Sequence, residues 1–281
     1  MHWKTKSTAF RILSKMPFGG TVHHLLQRYV THEWPRSVAV LDELIVAARD
    51  IIDAAGVQAS INGTRFLEIG AGRDLAVALA LRMMGVGGVT AIDIDRLAQL
   101  DLVNHSAQYM ALRLGVDVPV FGSFDALCAF GIDYRAPLQM DDVDDFGYDC
   151  FYSVDTLEHI PAAILPSVLS AGRSRLKSDG ITVHIIDYSD HYARGTGASR
   201  LNFLRYSDRG WAAYNSRFLF MNRLRHSEYM TLFAQSGYHD IIDTPFHLDD
   251  TDVDVVDFDR RFRVMPMADL TALRALISGR P

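Results

Sequence analysis

Cysteine is scarce in this sequence of 281 residues, which contains only Cys128 and Cys150. Two cysteines cannot form the disulfide framework of a small secreted protein or a cysteine-rich zinc site. The opening residues also lack the long apolar core and the small-residue cleavage site of a secretory signal. We therefore expect a protein of a reducing compartment, with a cytoplasmic location.

Long apolar runs and an excess of positive charge are missing as well. The best apolar stretch, residues 75–81, ends at Arg82 and is far shorter than the roughly 18 residues of a membrane span. The 28 Lys+Arg and 34 Asp+Glu leave a net charge of -6, so no overall cationic field recruits nucleic acid. The Gly-x-Ser-x-Gly pattern of serine hydrolases is absent too. We expect neither a membrane span nor a nucleic-acid partner, and the oligomeric state stays open.

The first sixty residues have the pattern of helices. A basic amphipathic stretch ends near Pro17, and helices are predicted over residues 21–31 and 37–55. No acid precedes Glu33, so this part of the chain is locally basic. Basic amphipathic helices can face membrane surfaces or phosphates, whereas the simpler alternative is a helix that lies over the main domain. We predict a helical cap over residues 1–60.

From residue 64 onward, strand-like runs alternate with helical ones. Strands are predicted over residues 65–69, 89–94, 118–121, 148–153 and 181–187, with helices over 75–84, 96–114 and 161–176. This alternation is typical of a doubly wound, mostly parallel α/β sheet, which binds its ligands at the carboxyl ends of the strands.

The first of these strands leads into Glu68-Ile69-Gly70-Ala71-Gly72. Glycines directly after a strand let the backbone approach a ligand closely. The dinucleotide pattern G-x-G-x-x-G fails here, because Leu75 stands where the third glycine would be. Asp93 ends the second strand 21 residues after Gly72, where a carboxylate can accept both hydroxyls of a ribose. These features favour a ligand with a ribose and a cationic amino-acid portion.

Four segments resemble the class I S-adenosylmethionine-dependent methyltransferases. Residues 68–72 resemble the first motif of that family, although Asp74 occupies the place of its frequent third glycine, and residues 89–94 resemble the second. Residues 148–160, with their Leu-Glu-His-Ile ending, closely resemble the fourth motif, and residues 122–126 match loosely where the family places an acid near adenine. The resemblance covers about residues 60–245.

This resemblance implies S-adenosyl-L-methionine as the cofactor and a Rossmann-like sheet of seven strands, the last of them antiparallel. It places a final helix at residues 229–236 and a further strand at 239–244. The cofactor-binding domain then covers residues 61–245, and residues 246–281 form a C-terminal extension. The implied cofactor-binding residues are Glu68, Gly70, Ala71, Gly72, Arg73, Asp93, Ile94, Phe124, Asp125 and Ser153.

The segment of about residues 188–228 is too long for a simple connection. Long connections in compact domains are often lids or binding loops. The sequence of this segment also resembles methyltransferases of bacterial polysaccharide and glycan biosynthesis clusters, which implies a small-molecule or sugar acceptor. We expect this insert to form the acceptor site through Tyr206, Asn222, Arg223 and Arg225.

A hydroxyl acceptor is a weak nucleophile and benefits from a base. His159 follows the fourth strand, and Asp187 and His191 follow the fifth, so these three are the candidate catalytic residues. As an alternative, Asp155, Asp187, Asp190 and His191 could collect a divalent ion that lowers the pKa of the acceptor.

Two acidic clusters, residues 141–145 and 249–259, lack the glycine and the distal glutamate of an EF-hand loop. We interpret both clusters as solvated loops and predict no dedicated metal site.

The sequence therefore predicts an S-adenosylmethionine-dependent methyltransferase that acts on a hydroxyl of a small molecule or sugar. Three alternatives remain at this stage. They are a catalytically silent protein that binds the cofactor or a partner, an N-methyltransferase, and a nicotinamide oxidoreductase.

Overall fold

The computed structural model of the chain describes residues 2–248 and 257–281. Within these ranges the chain forms seven β-strands and eleven α-helices. The strands are β1 (Arg65–Ile69), β2 (Gly88–Ile92), β3 (Ile132–Arg135), β4 (Tyr148–Val154), β5 (Leu176–Asp187), β6 (His239–His247) and β7 (Ala272–Arg280). The helices are α1 (Trp3–Lys15), α2 (Gly19–Tyr29), α3 (Val38–Ala55), α4 (Ala76–Met83), α5 (Leu100–Leu114), α6 (Phe124–Ala129), α7 (Leu165–Arg175), α8 (Asp208–Ala212), α9 (His226–Gln235), α10 (Arg260–Arg263) and α11 (Met267–Thr271).

All seven strands form one sheet in the order β3-β2-β1-β4-β5-β7-β6. Strands β1 to β5 are parallel, and β7 runs antiparallel between β5 and β6. The strand order reverses between β1 and β4, where the chain turns from one side of the sheet to the other. Doubly wound sheets bind ligands at such a point, outside the carboxyl ends of the strands. The predicted fold class, a mostly parallel seven-stranded sheet, is confirmed.

The predicted third strand is wrong. Residues 118–121 form an irregular segment in which only Phe121 is buried, and Val120 is exposed. Pro119 has no N–H to donate to a ladder, which disfavours an interior strand there. The true β3 pairs with β2 through Val89 and Ile132, and α6 precedes it.

The sheet also extends beyond the boundary that the sequence predicted at residue 245. Strand β7 lies inside the sheet, with Ile185 opposite Leu276 on one side and Thr244 opposite the same residue on the other. Residues 272–280 are therefore part of the seven-stranded sheet, although the sequence placed them in a C-terminal extension. Of the acidic cluster at 249–259, residues 249–256 lie outside the described residues, and Asp259 caps α10 by accepting from the Arg261 N–H.

Helices cover both faces of the sheet. On one face α3 and α4 bury Leu41, Ala48 and Leu79 against Phe66 and Val183. On the other face α7 and α9 bury Leu169 and Phe233, among other side chains, in clusters with the sheet. Since α3 belongs to this layer, the boundary predicted at residue 60 does not isolate a separate cap. No helix in the described ranges is long and apolar enough to cross a membrane.

Helices α1 and α2 form an N-terminal hairpin that packs against the insert of residues 188–228. The Trp3 ring lies 6.0 Å from Trp211 and 4.8 Å from Tyr214, and the Ser7 hydroxyl donates to the Tyr214 carbonyl at 2.8 Å. Tyr192, Phe203 and Met221, among other residues, complete this second core. Hairpin and insert therefore form one layer, held together by aromatic packing.

Candidate active site

A cavity of about 870 Å³ lies beside the turn after β1. Gly72 and Arg73 line it from that turn, residues 95–97 line it from the segment after β2, and His159 lines it from the segment after β4. The N-terminal hairpin and the insert contribute the remaining walls. Its volume lies within the roughly 300–1,000 Å³ typical of sites for small molecules. The cavity is therefore at the point where the fold places a ligand.

The two glycines of the turn have different surroundings. Gly70 has a φ of +84°, and a Cβ there would lie 2.4 Å from the side chain of Thr156. Gly72 has a φ of +69°, and its Cβ would meet open space. The Gly70 and Ala71 N–H groups donate to the Ile92 carbonyl at 2.9 and 3.1 Å. Gly70 thus lets the turn pack against the segment after β4, and Gly72 keeps space free beside the cavity.

Asp93, directly after β2, is tied to this turn. Its Oδ2 accepts from the Gly72 N–H at 3.0 Å, and its Oδ1 accepts from the Asp95 N–H at 3.1 Å. Burial raises the pKa of Asp93, and these backbone hydrogen bonds oppose the rise. An ionised carboxylate offers about four acceptor positions, so each oxygen can still accept a ligand hydroxyl.

Glu68, near the end of β1, is 3% exposed, and its Oε2 has no hydrogen-bond partner within the described ranges. Burial raises the pKa of Glu68 to about 8; the Asp74 and Asp93 charges add to the rise, and the Tyr152 hydroxyl opposes it. A buried carboxyl without a partner is costly, and a strongly raised pKa in such a place is a mark of functional sites.

Asp74 has a structural role in place of the expected third glycine. Its carboxylate accepts from Arg36 Nε at 3.0 Å and from the Ser106 hydroxyl at 2.8 Å. It thereby ties the segment before α3 to α5, and Arg36 also lines the cavity.

Of the predicted cofactor residues, Gly72 and Arg73 line the cavity, and the others, Glu68, Gly70, Ala71 and Asp93 included, do not. Ile94 is exposed beside Asp95. Phe124 and Asp125 lie on α6, before β3 and not at its carboxyl end, and the Phe124 ring packs on Tyr134. The resemblance placed an acid near the adenine at these residues, but the structure does not bring either of them to the cavity.

Ser153 is also corrected. Its hydroxyl is fully buried in β4 and lies 2.7 Å from Nδ1 of His184 on the neighbouring strand β5. This contact holds two polar side chains inside the sheet, away from the residues that line the cavity.

The structure brings the three candidate catalytic residues together. The His159 and His191 rings lie 4.9 Å apart, and His191 Nε2 is 3.4 Å from Asp187 Oδ2. Arg194 contacts both Asp187 and His191. Burial would raise the pKa of Asp187, but its contacts with His191, Arg194 and Ser189 hold it well below its usual range.

His159 is held by the insert. Its Nδ1 lies 2.6 Å from the Phe220 carbonyl, which can only accept, so this nitrogen carries the proton. Burial and the neighbouring His191 lower the pKa of His159 to about 4, and the ring is therefore neutral near pH 7.

A second cavity, of about 490 Å³, begins at Asp187 and Arg194. It is lined by polar residues of the insert that include Asp190 and Arg200. The catalytic candidates thus adjoin two spaces, because His159 lines the first cavity and Asp187 lines the second.

The two arginines predicted to bind the acceptor are internal braces. Arg223 is 3% exposed, donates to the Phe203 and Tyr206 carbonyls and pairs with Asp208. Arg225 is fully buried and donates to carbonyls of Tyr188, Asp269, Leu270 and Ala272. Burial lowers the pKa of Arg225 to about 10, with the Asp269 charge opposing. Neither guanidinium lines either cavity.

Asn222 and Tyr206 are likewise structural. The Asn222 amide donates to the Leu157 and Ile160 carbonyls, each at 2.9 Å, and so anchors the insert on the segment after β4. The Tyr206 ring packs among Trp3, Trp211 and Tyr214 in the aromatic core under the N-terminal hairpin.

Sequence reasoning missed the cavity residues of the N-terminal hairpin and of one turn in the insert. His23 and His24 line the cavity from α2, and Arg217 and Phe218 line it from the insert. The Phe218 ring stacks on His23 at 4.6 Å, and Arg217 donates to Asp95 at 3.0 Å. No local pattern marks these residues, since nearly two hundred positions separate the two groups.

Comparison with known proteins places the fold. No protein-family model and no curated protein matches the chain. Phosphoethanolamine N-methyltransferase 2 of Haemonchus contortus, solved with S-adenosyl-L-methionine, is similar in structure with a TM-score of 0.50 and 12% identity, over 91% of this chain and 59% of that one.

Two further solved structures have lower scores. A candidate O-methyltransferase of Nostoc punctiforme has a TM-score of 0.46 and 14% identity, over 85% of this chain and 60% of that one. The magnesium protoporphyrin IX methyltransferase of Synechocystis, solved with bound SAH, has a TM-score of 0.47 and 13% identity, over 84% of this chain and 83% of that one. This chain spans about three fifths of the Haemonchus and Nostoc proteins. Together with the strand order, the likeness to the Haemonchus structure shows that the chain has the Rossmann-like methyltransferase fold.

Proposed function

We propose that this protein is an S-adenosylmethionine-dependent methyltransferase that acts on a hydroxyl of a small molecule or sugar. One observation carries the proposal. At the switch point of a methyltransferase-type sheet, a glycine turn flanked by Glu68 and Asp93 borders a cavity of about 870 Å³.

The side chains around this turn fit the cofactor. The unpartnered Oε2 of Glu68 suits the cationic amino-acid portion, either directly or through water, because an ammonium group supplies the charge and donors that the carboxyl lacks. The free acceptor positions of Asp93 suit the two ribose hydroxyls. The open space at Gly72 admits a ligand against the backbone. When bound, S-adenosylmethionine supplies an electrophilic methyl group on a sulfonium.

The remaining work of the protein is to position the acceptor and to receive its proton. Methyl transfer from a sulfonium is an in-line displacement, so positioning contributes much of the rate. His159 lines the first cavity and Asp187 lines the second, and His191 lies next to both of these residues. A pKa of about 4 makes His159 a weak base, and the Asp187 carboxylate lies 3.4 Å from His191 Nε2, so we assign proton acceptance to His191 with Asp187 orienting it.

We place the acceptor in the second cavity. Its lining includes Asp187, Asp190, Arg194 and Arg200, a polar set that suits a molecule rich in hydroxyls. The sugar class of acceptor follows from the sequence resemblance of the insert. Cys128 and Cys150 are unpaired, which fits the cytoplasmic location that we propose.

Calorimetry on the purified chain tests the proposal. We expect S-adenosylhomocysteine to bind and NADH not to bind. Asp93→Ala should weaken the binding by about 1.5–3 kcal/mol, as for lost hydrogen bonds to a charged group. Asp117→Ala, which removes an exposed carboxylate, is the matched control. Wild-type affinity in Asp93→Ala would contradict the ribose assignment.

Transfer of a labelled methyl group tests the acceptor. We expect product with sugars or small hydroxylated molecules and none with the corresponding amines. Transfer to amines alone would establish an N-methyltransferase instead. Binding without transfer to any member of a broad panel would favour a catalytically silent protein.

A further inference from the structure

A buried carboxyl group without a partner lies next to two imidazoles. Glu158 is 2% exposed, and neither of its carboxyl oxygens has a hydrogen-bond partner in the part of the chain that the structure describes. One ligand atom each from Glu158, His159 and His191 lie within 4.8 Å of one another. Burying a carboxyl without a partner is costly, so this arrangement calls for a group that the chain itself does not supply.

His159 has the orientation of a metal ligand. Its Nδ1–H donates to the Phe220 carbonyl at 2.6 Å, which leaves the lone pair of the neutral ring on Nε2. Metal-binding histidines are generally fixed in this way, with the second ring nitrogen bonded to a backbone carbonyl or a carboxylate.

His191 and its neighbours complete the arrangement. Asp187 Oδ2 lies 3.4 Å from His191 Nε2, where a carboxylate can orient the ring, and this leaves Nδ1 as the nitrogen for the ion. Asp155 and Asp187 add negative charge around Glu158. Two cations oppose a metal: Arg194 contacts His191 Nε2, although its side chain is 54% exposed, and Lys6 Nζ lies 3.1 Å from the His191 carbonyl.

We propose that Glu158, His159 and His191 bind a divalent transition-metal ion. Two imidazoles and one carboxylate suit Zn²⁺, Mn²⁺ or Co²⁺, whereas Mg²⁺ and Ca²⁺ prefer oxygen ligands. The sequence predicted no metal site, and its alternative ligand set, Asp155, Asp187, Asp190 and His191, shares only one residue with this one.

The location of the metal site suggests a role in methyl transfer, and this role rests on the proposed function. His159 lines the cofactor cavity, so the ion would lie at its wall and lower the pKa of an acceptor hydroxyl. In the metal-bound protein His191 is a ligand and its ligating nitrogen cannot take the proton, so the hydroxyl proton passes to water in place of His191. An oxygen lone pair forms the bond to the methyl carbon. The carbon–sulfur bond breaks with its electron pair retained on sulfur.

Metal analysis of the full chain tests the site. The protein, without a histidine tag, is stripped with EDTA and then incubated separately with Zn²⁺, Mn²⁺, Co²⁺ and Mg²⁺. We expect about one ion per chain with at least one transition metal, a visible Co²⁺ spectrum if Co²⁺ binds, and none with Mg²⁺. Failure of all three transition metals to remain bound would overturn the proposal.

Variants assign the ligands. Glu158→Gln, His159→Ala and His191→Ala should each weaken metal binding by about tenfold or more, while His105→Ala, an exposed histidine on α5, should leave it unchanged. Circular dichroism checks that each variant is folded. Arg194→Ala should strengthen metal binding, because it removes the neighbouring positive charge. This variant keeps Glu158, His159 and His191, so its effect does not depend on replacing a ligand. Wild-type affinity in all three ligand variants would overturn the site.

The two proposals fail separately. Metal binding without binding of S-adenosylhomocysteine would support the site and overturn the proposed function. Binding of S-adenosylhomocysteine without metal binding would support the proposed cofactor and overturn the site.

Discussion

The two glycines of the turn after β1 should respond differently to alanine. At Gly70 the φ is +84°, and the new Cβ would lie 2.4 Å from Oγ1 and Cγ2 of Thr156. The left-handed backbone costs a non-glycine residue about 1–2 kcal/mol, and overpacking costs about 1–3 kcal/mol more. We therefore expect Gly70→Ala to lower the free energy of unfolding by about 2–5 kcal/mol.

Gly72→Ala is the matched comparison. Its φ of +69° carries the same backbone cost, but no atom lies within 4 Å of the new Cβ. We expect a loss of only about 1–2 kcal/mol in the free energy of unfolding. Because Gly72 lines the cavity, its methyl group should instead reduce the affinity for S-adenosylhomocysteine.

Urea unfolding followed by circular dichroism measures the first effect, and calorimetry measures the second. Thr156→Gly removes the side-chain atoms that the new Cβ at Gly70 would meet, so the double variant should recover about 1–3 kcal/mol relative to additivity. Equal loss of stability in Gly70→Ala and Gly72→Ala, together with strict additivity at Thr156, would refute the packing argument.

Two further predictions concern buried charge. Glu68 has a pKa of about 8 in the folded protein, against an ordinary value of 4.5. Between these two pH values the folded protein keeps a proton that the unfolded chain loses. The resulting contribution to the free energy of unfolding is full below about pH 4.5 and is lost as the pH rises through 8. Between pH 6 and 8, urea unfolding should therefore show the wild type losing about 2 kcal/mol more than Glu68→Gln, and parallel curves would contradict it. Arg225→Met should lower the free energy of unfolding by about 3–5 kcal/mol, because it leaves buried carbonyls without their donor. The Arg217 side chain is 73% exposed, so Arg217→Ala should change the free energy of unfolding by less than about 1 kcal/mol. Similar losses in both variants would show that the hydrogen bonds of Arg225 to buried carbonyls do not stabilise the fold.

The local sequence determined the central strands and the turn that borders the cavity. Strand β1 is a short, mostly apolar run that is followed by glycines, and β2 is followed by an acid, so the local sequence marks where each strand stops. Positive φ at Gly70 and Gly72 follows from the same short pattern. These features depend on neighbours in the chain, which is why the fold class and the glycine turn after β1 could be predicted.

The third and seventh strands were harder to predict from the sequence, because a segment becomes a strand there only by pairing with a neighbouring strand. Residues 118–121 are as apolar as a strand, yet β3 is the segment that pairs with β2. Strand β7 qualifies because β5 and β6 hold it on both sides, and no pattern within residues 272–280 reveals those partners.

Only the tertiary structure decided the roles of the charged side chains. Arg217 and Arg225 lie eight residues apart in the same insert, yet the first lines the cavity and the second braces buried carbonyls. Glu158 and His159 meet His191 because β4 and β5 are neighbours in the sheet. The sequence supplies a charge or an imidazole, but the packing around it fixes its burial, its partners and therefore its chemistry.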